Sequence, residues 1–138
     1  MWLLHFIVAS AAPLALFESE PVRPLALTED GRLLVTNLPD GRLASLDPTS
    51  GDVLASIPVG VDPVSVAVHG DAAWVVNHLS DAVSVVDLST DPPRIVGTRQ
   101  VGDEPRDIVF AAGRAYVTTA HRGQANPEDT EPHTPSVN

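Results

Sequence analysis

The chain has 138 residues, 43% of them hydrophobic, which is enough for one ordinary globular domain. Its formal net charge is −10 and all eight basic residues are arginines, and an acidic surface of this kind repels phosphate backbones and argues against nucleic acid as a partner. The absence of cysteine excludes disulfides, thiolate metal sites, a cysteine nucleophile and attachment of a c-type haem within these residues.

The chain begins with an apolar run over residues 2–17. This run is shorter than the ~18 or more residues expected of a membrane span, and Ala9-Ser10-Ala11 provides a small-x-small cleavage site. We therefore predict a signal peptide over residues 1–17 and a periplasmic or extracellular location, although no basic residue precedes the run. The alternatives are that the run packs against the first blade or that it comes from a misplaced start codon.

Residues 21–60 form a first unit of four short apolar runs. Asp30-Gly31 and Asp40-Gly41 separate the runs, and both pairs tolerate the positive φ angles of tight hairpin turns. Short runs of this kind, bounded by such turns, are typical of an antiparallel meander. The predicted strands are 25–27, 33–36, 43–46 and 53–57.

A second unit over residues 61–102 repeats the pattern, and its front half recurs over 105–119. Residues 33–37 align with 73–77 at an offset of 40 (77 − 37), and residues 73–77 align with 115–119 at an offset of 42 (119 − 77). A period near 40 with four strands per unit is typical of β-propeller blades.

The repeats therefore predict an all-β fold of four-stranded antiparallel propeller blades over residues 18–121. Propellers close with about 4–8 blades, whereas this chain holds two units and half of a third, so we expect an incomplete propeller. Residues 122–138 are polar apart from one valine and are predicted to be a disordered tail or a truncated loop. Because an open array exposes blade faces and a strand edge, we expect the isolated chain to self-associate or to bind protein, including remaining propeller blades.

Several landmarks recur in register in successive units. They are Asp-Gly-Arg-Leu-Leu-Val-Thr-Asn at 30–37, Ala-Tyr-Val-Thr-Thr at 115–119, Ile-Pro-Val-Gly at 57–60, and the prolines Pro63 and Pro105 that open the next units. Together they resemble the YVTN family of β-propeller repeats over about residues 21–121, with Leu-Val-Thr-Asn, Trp-Val-Val-Asn and Tyr-Val-Thr-Thr in place of a uniform Tyr-Val-Thr-Asn. The resemblance implies a secreted or periplasmic propeller, usually of seven blades. Its relatives include quinoprotein-like and lactonase-like enzymes, and some accompany haem domains.

Residues that recur in every unit are expected to hold the blades together rather than to bind a ligand. Asn and Asp at strand ends are predicted to cap turns, Gly and Pro to form the connections, and the aromatic pair to pack between blades. These positions are Asn37 and Asn77, Asp47 and Asp87, Gly60 and Gly102, Pro63 and Pro105, and Trp74 and Tyr116.

Two histidines fall in the corresponding loop of adjacent units. His78 and His121, with Asp81 nearby in sequence, are candidate metal ligands because neutral imidazole is the commonest protein ligand for metals. The alternative is two exposed loop histidines that bind no metal.

The sequence carries no catalytic motif. It lacks a Gly-x-Ser-x-Gly elbow and a Gly-x-Gly-x-x-Gly loop, and it has no lysine for a phosphate loop or a Schiff base. We therefore predict no catalytic residue and no cofactor, and a binding or scaffolding surface as the function. The alternative is part of a propeller enzyme, quinoprotein-like or lactonase-like, whose catalytic residues lie in blades outside this sequence.

Overall fold

A computed structural model describes residues 19–120, and nearly all of them lie in β-strands or the short turns between them. The first four strands pair antiparallel in sequence order as one sheet. They are β1 (Leu25–Leu27), β2 (Leu33–Asn37), β3 (Arg42–Leu46) and β4 (Val53–Pro58). Glycines at positive φ make the two tight hairpin turns, Gly31 at 87° and Gly41 at 59°.

The second sheet has the same order, and a third sheet has two strands within the described residues. A 3-10 turn, His78–Ser80, joins the second and third strands of the second sheet. The strands are β5 (Pro63–His69), β6 (Ala72–Asn77), β7 (Ala82–Asp87) and β8 (Arg94–Gln100), followed by β9 (Asp107–Ala111) and β10 (Arg114–Thr118). Two four-stranded antiparallel meanders and a two-stranded hairpin, in sequence order, confirm the predicted all-β fold of incomplete propeller-type sheets.

The three sheets share one register, which shows that they are copies of a single unit. In the first sheet Val35 pairs with Leu25 and Ala44. In the second sheet Val75 pairs with Val66 and Ser84, and in the third Val117 pairs with Ile108. These pairs therefore identify equivalent positions in the three units.

The sheets pack face to face, with the first strand of each, β1, β5 and β9, side by side. One apolar core lies between the first and second sheets and includes Leu34, Leu43 and Val75. A second core lies between the second and third sheets and includes Val76 and Ile108. Because side chains alternate between the faces of a strand, β6 sends Val75 into one core and Val76 into the other.

Three of the predicted features lie outside the described residues: the signal peptide at 1–17, His121, and the tail at 122–138. Between residues 19 and 120 there is no helix long and apolar enough to cross a membrane.

Candidate functional site: the open face of the first sheet

One face of the first sheet is apolar and is not packed against another sheet within residues 19–120. It carries the side chains that alternate with the core residues Leu34 and Leu43, and we call it the open face. The open face comprises Leu25 and Leu27 of β1, Leu33, Val35 and Asn37 of β2, and Ala44 and Leu46 of β3.

Side chains on the open face are more exposed than the equivalent side chains of the other units. Leu25 is 53% exposed and Leu27 is 66% exposed. The residues equivalent to Leu25, namely Val66 and Ile108, are 0% and 1% exposed because the preceding sheet covers each of them. Leu25 and Leu27 are thus exposed to solvent on a face whose equivalents in the second and third sheets are covered.

A groove of about 420 Å³ runs along the outer part of this face. Its lining includes Val35, Asn37 and Leu46 of the sheet, together with Ser19 and Pro21 of the leading segment. The groove is open and its lining is largely apolar, which suits a polypeptide side chain better than a charged small molecule.

Asn77 is the residue of the second sheet that is equivalent to Asn37, and it lies between the first and second sheets. We predicted a turn cap at this position, but the side chain is fully buried at the junction of two sheets. Its Oδ1 accepts the Gly60 N–H at 3.0 Å and its Nδ2 donates to Ser84 Oγ at 2.9 Å. The polar end of β6 therefore joins two units, because the backbone nitrogen of Gly60, at the end of the preceding unit, lies within reach of the Asn77 amide.

Glycine at position 60 is required by this contact. A Cβ built on Gly60 would lie 2.5 Å from Asn77 Cγ and 2.6 Å from Asn77 Cβ. The next junction repeats the arrangement, since a Cβ on Gly102 would lie 2.9 Å from Thr119 Oγ1. Sequence reasoning assigned these glycines to the connections and missed their partners, although the spacing from glycine to polar residue is 17 in both cases (77 − 60 and 119 − 102).

Asn37, the first member of the series, is exposed at the edge of the open face. Its Nδ2 donates to Asp40 Oδ2 at 2.8 Å within the turn between β2 and β3. The register that aligns Leu25 with Val66 makes Ser19 the residue equivalent to Gly60 (66 − 60 = 25 − 19), and Ser19 lines the groove together with Asn37.

His78 and Asp81 both contact the segment that joins the second sheet to the third. His78 is buried, and its Nδ1 lies 3.2 Å from the Pro105 carbonyl oxygen, so that nitrogen donates the hydrogen bond. Asp81 Oδ1 accepts the Glu104 N–H at 2.8 Å. Residues 19–120 contain no group of three or more side chains placed to bind a metal. His121, the other predicted ligand, lies outside this range.

A polar contact also joins all three units along their first strands. Arg23 donates to Asp107 Oδ1 and to the Ile108 carbonyl oxygen, and Ser65 Oγ donates to Asp107 Oδ1 at 2.7 Å. Burial raises the pKa of Asp107, but the hydrogen bonds from Ser65 and Arg23 outweigh it, so the pKa is below its usual value.

The aromatic pair occupies equivalent positions with different surroundings. The Trp74 ring meets Phe110 of the third sheet edge to face, with centroids 5.4 Å apart. Phe110 in turn stacks on His69 at 4.4 Å. Tyr116 pairs with Val109 in the third sheet, on the side directed away from the second.

The repeated acids and prolines lie in turns and connections. Asp47 Oδ1 accepts the Thr49 N–H at 2.7 Å, and Asp87 Oδ1 accepts the Ser89 N–H at 2.9 Å. The Ser89 hydroxyl also donates to Asp87, and this bond, with the Ser89 N–H, lowers the pKa of Asp87. Pro63 and Pro105, which begin the second and third units, are fully buried.

A further carboxylate is held in the first hairpin. Arg32 Nε donates to Asp30 Oδ2 at 2.8 Å and Thr28 donates to Oδ1. These bonds lower the pKa of Asp30 to about 2. Its position in the turn between β1 and β2 indicates a role in fixing the hairpin.

No protein-family model matches the chain, and no curated protein matches it. Among solved structures, it is similar to hydrazine synthase of Kuenenia stuttgartiensis, with a TM-score of 0.63 and 26% identity over 85% of this chain and 33% of that one. It is also similar to a 6-phosphogluconolactonase-like protein of Bacteroides uniformis, with a TM-score of 0.52 and 23% identity over 73% of this chain and 38% of that one. The chain thus spans about a third of the length of these propeller-type structures.

Proposed function

We propose that the chain is a binding and scaffolding module built of propeller blades, with no catalytic step of its own, and that the open face is its binding surface. Leu25, exposed at a position that the other units bury, and Leu27, exposed at a position that they half bury, carry this proposal. Contiguous exposed apolar surface on a soluble protein marks an interaction site. The YVTN-type character of the repeats belongs to the same proposal and is supported by the recurrent landmarks in the sequence.

Self-association of the full chain tests this proposal. We expect light scattering after size-exclusion chromatography to give a mass that rises with concentration above 14.5 kDa. Leu27→Glu places a charge on the open face and should return the mass to that of a monomer, since an unpaired charge opposes burial of the face.

Val96→Glu is the matched control, because Val96 is exposed on β8, away from the open face. It should leave the association unchanged. A wild-type chain that remains a monomer at tens of micromolar would contradict a binding role for the open face.

A periplasmic or extracellular location is part of the proposal and is supported by the apolar run at residues 2–17. Mass spectrometry of the protein exported by a bacterial host should find a new N-terminus at or soon after Ala11. Intact Met1 in the exported fraction would contradict it.

A second candidate is part of a propeller enzyme, and the likeness to hydrazine synthase and to the lactonase-like protein favours it. Under this candidate the catalytic groups belong to blades outside residues 1–138. The coding sequence beyond Asn138 tests it. A Cys-x-x-Cys-His run, or His and acidic residues on the first strands of further blades, would favour the enzyme. Further blades without such residues would favour the binding module.

A further inference from the structure

Strand β8 carries two arginines on one face, which is turned toward the side of the third sheet. Arg99 pairs with Val83 of β7, whose side chain lies in the apolar core between the second and third sheets. Because side chains alternate along β7, Asp87, the partner of Arg94, is on the same side. Gly97 lies between the two arginines on this side. We call Arg94, Gly97 and Arg99 the arginine face.

The arginine face is not covered by another sheet within residues 19–120. The third sheet packs on β5 and β6, whereas six of the seven residues of β8 are exposed. Ile57 of the first sheet is equivalent to Arg99, because their partners Leu43 and Val83 are 40 positions apart (83 − 43). Ile57 is buried against the second sheet. In the described units, the chain thus has an aliphatic side chain where a sheet covers this position and a cation where none does.

The charge of the arginine face is largely uncompensated by the residues around it. Between residues 19 and 120, the side chains of Arg94, Arg99 and Arg114 form no hydrogen bond or ion pair with another described residue. Arg94 has the Asp87 carboxylate nearby. Strand β8 holds two of these three arginines and no acidic residue. An anionic segment therefore complements this face better than an apolar one.

The chain itself carries an acidic segment within reach of this face. The Ala120 N–H donates to the Asp103 carbonyl oxygen at 2.9 Å, so the described part of the chain ends beside the connection that follows β8. Residues 128–131 are Glu-Asp-Thr-Glu. They are 8–11 positions beyond Ala120 (128 − 120 and 131 − 120), and a chain of this length spans up to ~28–39 Å. Arg94, the farther arginine, is nine positions before Asp103 (103 − 94), or ~30 Å along an extended chain.

We propose that the arginine face binds the acidic segment at residues 128–131 of the same chain. The carboxylates of the segment pair with Arg94 and Arg99, and Gly97 leaves the strand between them without a side chain. Exposed ion pairs are individually weak. The short connection to Ala120 compensates for this weakness, because it holds the segment at an effective concentration of about millimolar. The contact involves neither the open face nor the proposed function.

Disulfide formation between two introduced thiols in the full chain tests this inference, and the disulfide is unique because the chain has no cysteine. One thiol is that of Thr130→Cys, within the acidic segment. The other is that of Gly97→Cys, where the nearest atom to an added Cβ is 3.9 Å away. Thr98→Cys is the matched control, because Thr98 is also exposed on β8 but pairs with Ser84, on the opposite side of the sheet. At sub-micromolar protein with oxidised glutathione, the pair 97 and 130 should close at least about tenfold faster than the pair 98 and 130.

The same measurement tests the role of charge. Arg94→Gln combined with Arg99→Gln should lower the rate at position 97 to that at position 98. Sodium chloride at about 1 M, which reduces the Debye length to ~3 Å, should have the same effect. Arg114→Gln removes an equal charge from the third sheet and should leave the difference between positions 97 and 98 unchanged.

The contrary outcomes are distinct. Equal rates at positions 97 and 98 in the otherwise unchanged chain would overturn the arginine face as a binding site. A difference that survives both the arginine substitutions and the salt would overturn ion pairing as its basis. An equal loss in Arg114→Gln would show that overall charge, rather than this face, attracts the segment. A disulfide-linked dimer in place of the closed monomer would assign the bound segment to a second copy.

Discussion

The contact between Gly60 and Asn77 joins the first two units. Gly60 donates its N–H to the buried Asn77 side chain, and the space around it has no room for a methyl group. The packing therefore restricts this position to glycine. Gly102 meets Thr119 with slightly larger separations. Gly97, within β8, has its nearest neighbouring atom at 3.9 Å.

These separations predict a ranking of three alanine substitutions. Gly60→Ala should lower the free energy of unfolding by about 1–3 kcal/mol, because a methyl group overpacks a buried junction. Gly102→Ala should cost less, and Gly97→Ala should lie within about 0.5 kcal/mol of wild type. Urea denaturation followed by Trp fluorescence measures all three, and equal effects at positions 60 and 97 would contradict the junction.

The contact of Arg23, Ser65 and Asp107 predicts a dependence on pH. A carboxyl whose pKa is lowered in the folded state adds stability that is present above its unfolded pKa, about 3.9. That stability is lost as the pH falls through the folded value. Asp107→Asn should therefore destabilise the chain at pH 7, by at most about 1 kcal/mol because both partners are partly solvated. The difference from wild type should shrink below about pH 4.

Urea titrations at pH 7 and at low pH, with Asp71→Asn as the control, measure this difference. Asp71 is exposed in the turn between β5 and β6 and makes no side-chain contact with another sheet among those described. A destabilisation by Asp107→Asn that is equal at both pH values would show that its charge is not the stabilising feature.

At the scale of the strands, the sequence is sufficient for most of the architecture. Val66 and Val68 alternate with the smaller Ser65 and Ala67, and Asp-Gly pairs end two runs of the first unit, so local chemistry alone predicts the meander. The offsets of 40 and 42 residues then imply copies of one unit, and the shared register confirms it.

The contacts between units could be predicted only in part. We expect Asn77 to cap a turn because Asn at the end of a strand commonly does so. Its side chain instead binds the backbone of Gly60, which follows the last strand of the preceding sheet. The pair Arg23 and Asp107 is 84 residues apart and exists only because three first strands lie side by side. Such contacts depend on how sheets stack, which no local pattern encodes.

The connection between the second and third sheets provides a prediction at this scale. Asp81 has φ of 50° and its carboxylate accepts the Glu104 N–H. Asp81→Gly keeps the backbone conformation, as Gly41 does at the equivalent turn, but removes the acceptor. We expect faster amide hydrogen exchange across β9 and β10 in this variant, while exchange in β2 and β3 stays unchanged.

Asp81→Asn retains an oxygen at the same position and is the matched control. Its exchange in β9 and β10 should remain close to that of wild type. Equal exchange in the glycine variant and the wild type would show that Asp81 does not hold the third sheet in place.

For the whole molecule, three repeated sheets explain both the fold and the proposed binding role. The second sheet is apolar on both sides, and stacking buries both of its faces. The open face is the outer face of the first sheet. It is exposed because no other sheet precedes the first one within residues 19–120. The proposed binding role is therefore a consequence of the same packing that stabilises the chain.

Thiol accessibility at two equivalent positions tests this account most directly. Leu25 and Val66 occupy the same place in successive units, one exposed and one fully buried, and each can be replaced by the chain's only cysteine. At sub-micromolar concentration, the thiol of Leu25→Cys should react with a maleimide at nearly the rate of a free thiol. The thiol of Val66→Cys should react at least about a hundredfold more slowly, through unfolding alone. Equal rates at the two positions would contradict the stacked units and the open face together.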